Sequence, residues 1–191
     1  MGFNIVLSSP SGAGKTTITK KLSQKYPNIK ISISHTTRKP RSNEIDGVDY
    51  HFVSQEEFEK LIKKNNFYEH AKIFDNYYGT SKNSVNKLHK ENYDVVFDID
   101  WQGTKQLSKF KELNLIKIFI LPPDKDELKK RLINRNQDND KIVKKRLKQY
   151  ENDVQHWLDY DYVVINNDLE SCFSQIEKII TTHKKEKMSF I

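Results

Sequence analysis

The sequence predicts a parallel α/β fold, a sheet covered by helices on both faces, and two patterns carry that prediction. Short apolar runs alternate with helix-length amphipathic stretches along most of the chain, and the first run passes through a glycine-containing loop directly into a helix. The length, 191 residues, fits one domain with insertions better than two complete domains.

The elements follow in order. Phe3 to Leu7 reads as a buried strand, Ser8 to Gly14 as a loop and Lys15 to Tyr26 as a helix. Ile29, Ile31 and Ile33 alternate as in a second strand. Pro40 disfavours helical geometry at Lys39, so Arg38 to Arg41 cannot continue a helix. Ser54 and Glu57 form a capping-box pattern ahead of a helix over Gln55 to Lys64, and strand character runs from Phe67 to Tyr78. A helix over Ser81 to Glu91, a buried strand over Asp94 to Ile99, a helix over Thr104 to Leu113 and a strand over Ile116 to Leu121 come next. After Pro122-Pro123, Asp124 and Glu127 mark a helix start, and the polar run Asn136 to Asp140 separates it from a second helix. Tyr162 to Ile165 is a last strand, and Asn167 with Glu170 opens a terminal helix that frays into a lysine-rich tail. The core is expected in residues 1–33, 81–123 and 148–191, with insertions at 34–80 and 124–147. Ligands in such folds bind at the carboxyl ends of the strands.

Composition narrows the function classes. Charged residues make up 31% and apolar residues 36%, a polar balance, yet 11% aromatics argue for a folded chain. No apolar stretch approaches the ~18 residues of a membrane span, and no charged region precedes the first apolar run. A cytoplasmic protein with neither a membrane nor a nucleic-acid partner is the expectation. Cys172 is the sole cysteine, which excludes an intrachain disulfide and multi-thiolate metal sites. The net charge of +7 points to an anionic partner. Of 33 cationic residues 28 are lysine, so Arg38, Arg41, Arg131, Arg135 and Arg146 stand out. A guanidinium can grip a phosphate through two parallel bonds, which an ammonium cannot.

Ser9-Pro10-Ser11-Gly12-Ala13-Gly14-Lys15-Thr16 matches the phosphate-loop pattern except that Ser9 replaces its first glycine. Gly12 and Gly14 permit the turn that aims successive N–H groups inward, and the following helix N-terminus favours a polyphosphate. Ser11 to Thr17 is therefore the expected ATP-binding segment: Ser11, Gly12, Ala13, Gly14, Lys15, Thr16 and Thr17. Lys15 reaches the terminal phosphates and Thr16 ligates magnesium. Asp98, at the end of an apolar strand, is the candidate second magnesium ligand, and Asp100 lies on the same face. Asp100-Trp101-Gln102-Gly103 also spells the D-x-x-G of GTPases. Their guanine-reading Asn-Lys-x-Asp is absent, because Asn86-Lys87 is followed by Leu88-His89.

In polyproline geometry, with about three residues per turn, Arg38 and Arg41 share a side and could clamp one phosphate. Tyr50, Tyr77 and Tyr78 supply hydroxyls or packing. Arg131 and Arg135 are four apart on one helical face, and Arg146 lies beyond the polar break. His35, His51, His70 and His89 have no paired metal-ligand spacing.

With these segments the chain resembles guanylate kinase, of the bacterial type. The resemblance rests on Ser11–Thr16, Ser34–Arg41, Asp46–Val53, Glu69–Ala71, Asn76–Thr80, Asp98–Gly103 and Val164–Asp168, in family order across nearly the whole chain. It implies a P-loop nucleoside monophosphate kinase fold with residues 34–80 as the GMP-binding insertion and 124–147 as a helical lid. It implies that Arg38, Arg41, Tyr50 and Tyr78 hold the GMP phosphate and that Ser34, Glu69, Gly79 and Thr80 surround guanine, with Asp100 completing the pocket. Arg135 and Arg146 are expected at the transferring phosphates, with Arg131 either there or structural, and Asn166 near the ATP base. Asn134-Arg135-Asn136 stands where the family usually has Gly-Arg-Gly.

The reaction so implied is ATP + GMP giving ADP + GDP with Mg2+, by in-line attack of a GMP phosphate oxygen, catalysed by Lys15, Arg38, Arg41, Arg135 and Arg146. GMP or dGMP could be the acceptor, and the sequence does not decide between monomer and homo-oligomer. Three other readings remain at this point: a scaffold of the same fold that binds protein ligands without transfer, a nucleotide kinase with another acceptor, and nucleic-acid binding through Lys184, Lys185 and Lys187, against which stands a solvated lysine tail.

Overall fold

The computed structural model describes residues 2–73, 75–134 and 140–188, with the side chains of 134, 140–144, 187 and 188 outside the description. Among the described residues, five parallel strands form the main sheet in the order β2-β7-β1-β8-β9. They are β1 (Asn4–Ser8), β2 (Ile29–Ile31), β7 (Asp94–Asp98), β8 (Leu115–Leu121) and β9 (Tyr162–Ile165). Each central strand is apolar on both faces. Ile5 and Leu7 pack with Val96, Ile118, Phe173 and Ile176 on one side, while Val6, Val95 and Phe97 join Val85 and Leu107 on the other.

Helix α1 (Lys15–Lys25) and the terminal helix α7 (Leu169–Met188) supply the first face. Helices α3 (Lys82–Lys90) and α4 (Trp101–Leu107) cover the second. Ser81 caps α3 by accepting from the Ser84 N–H. The helix expected from Thr104 begins three residues earlier, because the Asp100 carboxylate caps it through the Gly103 N–H at 2.9 Å. It ends at Leu107, and a short 3-10 turn, Lys111–Leu113, precedes Asn114 in the left-handed region. The cap of α7 is Asp168, not Asn167: its Oδ1 accepts from the Ser171 N–H at 2.8 Å.

Residues between β2 and α3 build a second sheet, in the order β4-β3-β6-β5. It comprises β3 (His35–Thr36), β4 (His51–Phe52), β5 (Phe67–Ile73) and β6 (Asn76–Ser81). Helix α2 (Gln55–Lys63) packs Phe58 on Phe67 and Tyr77, and its Ser54/Glu57 capping box is formed as the spacing predicts. Strands β5 and β6 pair antiparallel with a register shift between Phe67 and Glu69. Phe67, Glu69 and Ala71 are the buried positions of β5, so a carboxylate occupies an inward site between two apolar ones.

Helices α5 (Lys125–Asn134) and α6 (Asp140–Val154) complete the chain, α5 starting where the Glu127 N–H meets Asp124 Oδ1 at 2.7 Å. Leu128 and Leu132 of α5 pack with Leu147 and Tyr150 of α6. Arg135 and residues 136–139 of the expected polar break lie outside the described residues, and Asp140, the last residue of that break, is the first of α6.

The lysine tail departs from expectation. Helix α7 continues through Met188, and Lys184 forms an ion pair with Asp94, which is 6% exposed. Asp94 also accepts from the Phe3 N–H at 2.8 Å and from Asn28 Nδ2 at 2.9 Å. One buried carboxylate thus joins the N-terminus, β7 and the last helix at the sheet's amino edge. Removing it leaves buried donors unpaired. Asp94→Ala is expected to lower unfolding free energy by about 2–4 kcal/mol in urea titration while leaving substrate KM values unchanged.

Candidate active site

The register of the main sheet brings two sequence-distant segments together. Leu7 pairs with Asp98, so β1 and β7 end side by side, and the loop leaving β1 passes over the acid closing β7. In that loop Gly12 and Gly14 both have φ of 96°, a region open to glycine at no steric cost. Gly14 is the N-cap of α1 and has no side-chain cap, so the first-turn N–H groups of the helix face the cleft without an intrahelical acceptor. The Lys15 ammonium pairs with the Asp98 carboxylate.

The loop is braced from behind. Asn166, 3% exposed, donates from Nδ2 to the Ala13 carbonyl at 2.7 Å, and a methyl on Gly14 would lie 2.5 Å from that nitrogen. A methyl on Gly12 would lie 2.9 Å from Leu128 and Leu132, so α5 rests on the loop. Arg131 donates from Nη2 to the Asn166 carbonyl at 3.1 Å and from Nε to Glu127 at 3.1 Å. Neither Arg131 nor Asn166 is among the residues lining the cleft. Their polar atoms are occupied in holding the loop and α5 together.

A single cleft of about 450 Å3, within the range of ligand sites, connects this loop to the second sheet. Ser11, Gly12, Gly14, Lys15, Thr16 and Asp98 line one wall; Ser34, Arg38, Arg41, Tyr50, Glu69 and Tyr78 line the other; Asp100 and Arg146 also face it. Ala13, Thr17, Gly79 and Thr80 do not. Ala13 is fully buried and donates its N–H to the Pro10 carbonyl at 3.3 Å, and Thr17 is exposed outside the cleft. Gly79 gives clearance: a methyl there would lie 3.0 Å from Phe58 and 3.1 Å from the Glu69 carbonyl. Thr80 is buried behind Ser34, their hydroxyls 3.4 Å apart.

Charge in the cleft is organised in pairs. Glu44, which no local pattern singles out, holds both arginines of the second lobe. Its Oε1 lies 2.7 Å from Arg38 Nη2 and 3.8 Å from Arg41 Nη1, and its Oε2 accepts from the Arg41 N–H at 2.8 Å. Arg38 also lies over the Tyr50 ring at 5.4 Å. Burial, aided by the Asp98 charge, pushes the Tyr50 phenol well above its ordinary range, so it stays a neutral donor.

Burial raises three of the acids that line the cleft. Glu69 is 4% exposed, and burial pushes it up to about 7, with Asp100 adding to the rise and the Thr80 hydroxyl and N–H opposing it. Asp100 is likewise raised by burial against its cap bond to Gly103. Asp153 of α6 was not anticipated. Burial pushes it up to about 6, although it accepts from Trp101 Nε1 at 3.1 Å. The i, i+3, i+7 spacing of Arg146, Gln149 and Asp153 puts all three on the cleft face of α6 and was the signal available in the sequence.

Thr16 and Asp98 offer hard oxygen donors beside Lys15. Among the described residues no group of three or more His, Cys, Asp or Glu is placed to hold a metal ion, and His35, His51, His70 and His89 form no such set. A magnesium ion in phosphoryl transfer needs only one or two protein oxygens, because phosphate and water supply the rest, so the two donors suit Mg2+.

A phosphate loop across one cleft from a second lobe rich in arginine and tyrosine defines the class: a P-loop phosphotransferase with room for a donor and an acceptor. The relatives specify it further. The sequence model of the family described as guanylate kinase matches residues 2–183. The chain is 47% identical to the guanylate kinase of Rickettsia bellii over 186 residues, covering 97% of each chain. It is 44% identical to that of Paramagnetospirillum magneticum over 186 residues, covering 97% of this chain and 87% of that one. The crystal structure of guanylate kinase from Anaplasma phagocytophilum superposes with a TM-score of 0.78 at 33% identity, covering 95% of this chain and 86% of that one. The chain belongs to the guanylate kinase family, enzymes that convert ATP and GMP to ADP and GDP.

The raised acid at Glu69 has a stability consequence. The unfolded chain releases this proton near 4.5, whereas the folded, unliganded protein keeps it to about 7. Folding stability is therefore lost as pH rises between those values, and the full cost is present above 7. Glu69→Gln removes the charge and is expected to stabilise the unliganded protein by about 2–3 kcal/mol at pH 8 and by about 1 kcal/mol or less at pH 5, read from urea midpoints at both pH values.

Proposed function

We propose that this cleft transfers the γ-phosphoryl group of ATP to GMP, with the phosphate loop holding ATP and residues 34–80 holding GMP. One observation carries the reading: a buried carboxylate, Glu69, shares a single cleft with the phosphate loop and with both second-lobe arginines. Guanine presents N1–H and an exocyclic amine, and an ionised Glu69 accepts both. Adenine presents an unprotonated N1, which a carboxylate repels. Ser34, with Thr80 behind it, supplies hydroxyls toward O6. A site built to satisfy such groups can reject an analogue by as much as ~10⁴-fold, because a buried carboxylate would be left unpaired.

Arg38, Arg41, Tyr50 and Tyr78 are assigned to the GMP phosphate. Ser11 to Thr16 and Lys15 are assigned to the ATP phosphates, and Arg146, with Arg135 from outside the described residues, to the group in transfer. No general base is needed, since a phosphate monoester has a second pKa near ~6 and attacks as the anion. The barrier is electrostatic. At ~4 Å and an effective dielectric of ~20, two like charges repel by about 4 kcal/mol, and an arginine acting on the transition state contributes roughly 10³ to 10⁵ in rate. Lys15, Arg38 and Arg41 are already held in place by Asp98 and Glu44, which restricts their long side chains before a phosphate binds. Thr16 and Asp98 would hold Mg2+, which when bound neutralises phosphate charge. Residues 124–147 are proposed as the lid, whose closure excludes water from the transfer.

Among the described residues no helix is long and apolar enough to cross a membrane. We assign the activity to the cytoplasm, in keeping with the buried lone thiol of Cys172. The ion pair of Lys184 with the buried Asp94 favours a structural role for that part of the basic tail over nucleic-acid binding.

Release of ADP from Mg-ATP, measured with GMP, dGMP, AMP, UMP and dTMP as acceptors, tests the assignment. Guanine nucleotides should be used and the other three rejected; equal use of AMP would refute Glu69 as the base reader. Glu69→Gln should lower kcat/KM for GMP by about 10² to 10⁴ with the ATP KM within about twofold. Because only the anion of Glu69 accepts both guanine donors, wild-type kcat/KM for GMP should fall about tenfold from pH 8 to 6 beyond what the substrate phosphate itself contributes. Glu69→Gln should retain the substrate contribution alone. Arg38→Lys and Arg41→Lys should each cost about 10 to 10³ in kcat/KM for GMP, since an ammonium cannot reproduce the bidentate grip.

A further inference from the structure

The D-x-x-G run at 100 to 103 is unexplained by nucleotide binding to the loop, and its glycine is unusual in place. Gly103 is buried in the first turn of α4 and does not have the positive φ that calls for glycine. Alanine would favour the helix there by about 0.5–1 kcal/mol. What glycine provides is space. A methyl at position 103 would lie 2.6 Å from Glu69 Oε2, 3.1 Å from Glu69 Cδ and 3.3 Å from Ile99 Cβ.

Neither backbone can easily back away from such a methyl. Gln106, three residues further along α4, clamps the helix to β5: its Oε1 accepts from the His70 N–H at 3.2 Å and its Nε2 donates to the His70 carbonyl at 2.7 Å. His70 directly follows Glu69 in the chain. On the other side, the Asp100 cap fixes the start of α4 through the Gly103 N–H itself at 2.9 Å. With helix and strand tied on both sides of the contact, the free end of the Glu69 side chain is what has to move.

We propose that Gly103 is a positioning residue for guanine recognition: the absence of a side chain there sets where the Glu69 carboxylate stands, and with it the affinity for a base that offers two adjacent N–H donors. In this chain the D-x-x-G run is thus a capped turn that makes room for an acid on another strand. The inference rests on Glu69 reading guanine.

Gly103→Ala should fold with an unchanged or slightly higher Tm, raise the GMP KM about 10- to 100-fold and leave the ATP KM within about twofold. In a Glu69→Ala background, adding Gly103→Ala should change the GMP KM by less than about twofold, because no carboxylate is left to displace. In a Glu69→Asp background, whose acid is shorter by one methylene, the cost of Gly103→Ala should shrink to less than about threefold. That double variant also serves should Gly103→Ala alone fail to fold. An unchanged GMP KM in Gly103→Ala, or the same loss in the Glu69→Ala background as in the wild type, would overturn the proposal. Failure of the underlying reading is seen separately, as a Glu69→Ala enzyme with the wild-type GMP KM, and would take the proposal with it.

Discussion

The parallel pairing of β1 with β7 is the contact on which the site depends, because it sets Leu7 against Asp98 and so ends both strands at one level. A parallel sheet presents all its carboxyl ends on one edge, and loops leaving that edge meet there. The phosphate loop, the acid at its side and the start of α4 all emerge within one strand spacing of each other. A slip of one residue would turn Asp98 to the other face and bury Phe97 against the loop. The apolar side chains of β1 and β7, packed on both faces, hold that register.

The cleft is prepared for anions by cations that acids already hold. Lys15 is paired with Asp98, and Arg38 and Arg41 are gathered by Glu44. Such pairs cost affinity, since a phosphate must share or displace the acid, and they gain geometry, since long basic side chains are otherwise spread over many rotamers. The acids Glu69, Asp100 and Asp153 follow the opposite logic. Buried near one another, they hold their protons to higher pH than free carboxyls do. On the proposed reading, a guanine that donates to Glu69 would reverse this at one position, tying base recognition to a proton.

Much of the architecture was legible from local pattern. Strand and helix order, the capping box of α2 and the loop between β1 and α1 followed from periods of two and 3.6, from cap chemistry and from glycine spacing, all carried by residues close in sequence. The start of α4 is harder to read there, because the Asp100 carboxylate is both a candidate ligand and the helix cap, and the extent of α7 depends on Asp94, the partner of Lys184, 90 residues away. The bracing of the phosphate loop by Asn166 and Arg131 is likewise a contact between distant segments.

By itself the sequence determined the fold class, the phosphate loop and the residue types of the second lobe, because backbone preference and side-chain chemistry are written in neighbouring positions. Only the tertiary structure decided which acid holds which cation, that Asp153 faces the cleft, and that Gly103 leaves room for Glu69. Those facts depend on distances between segments far apart in the chain, set by the packing of α4 on β5 and by the contact of Asp153 in α6 with Trp101. A carboxylate's proton affinity and reach depend on what surrounds it, and only the folded chain supplies those surroundings.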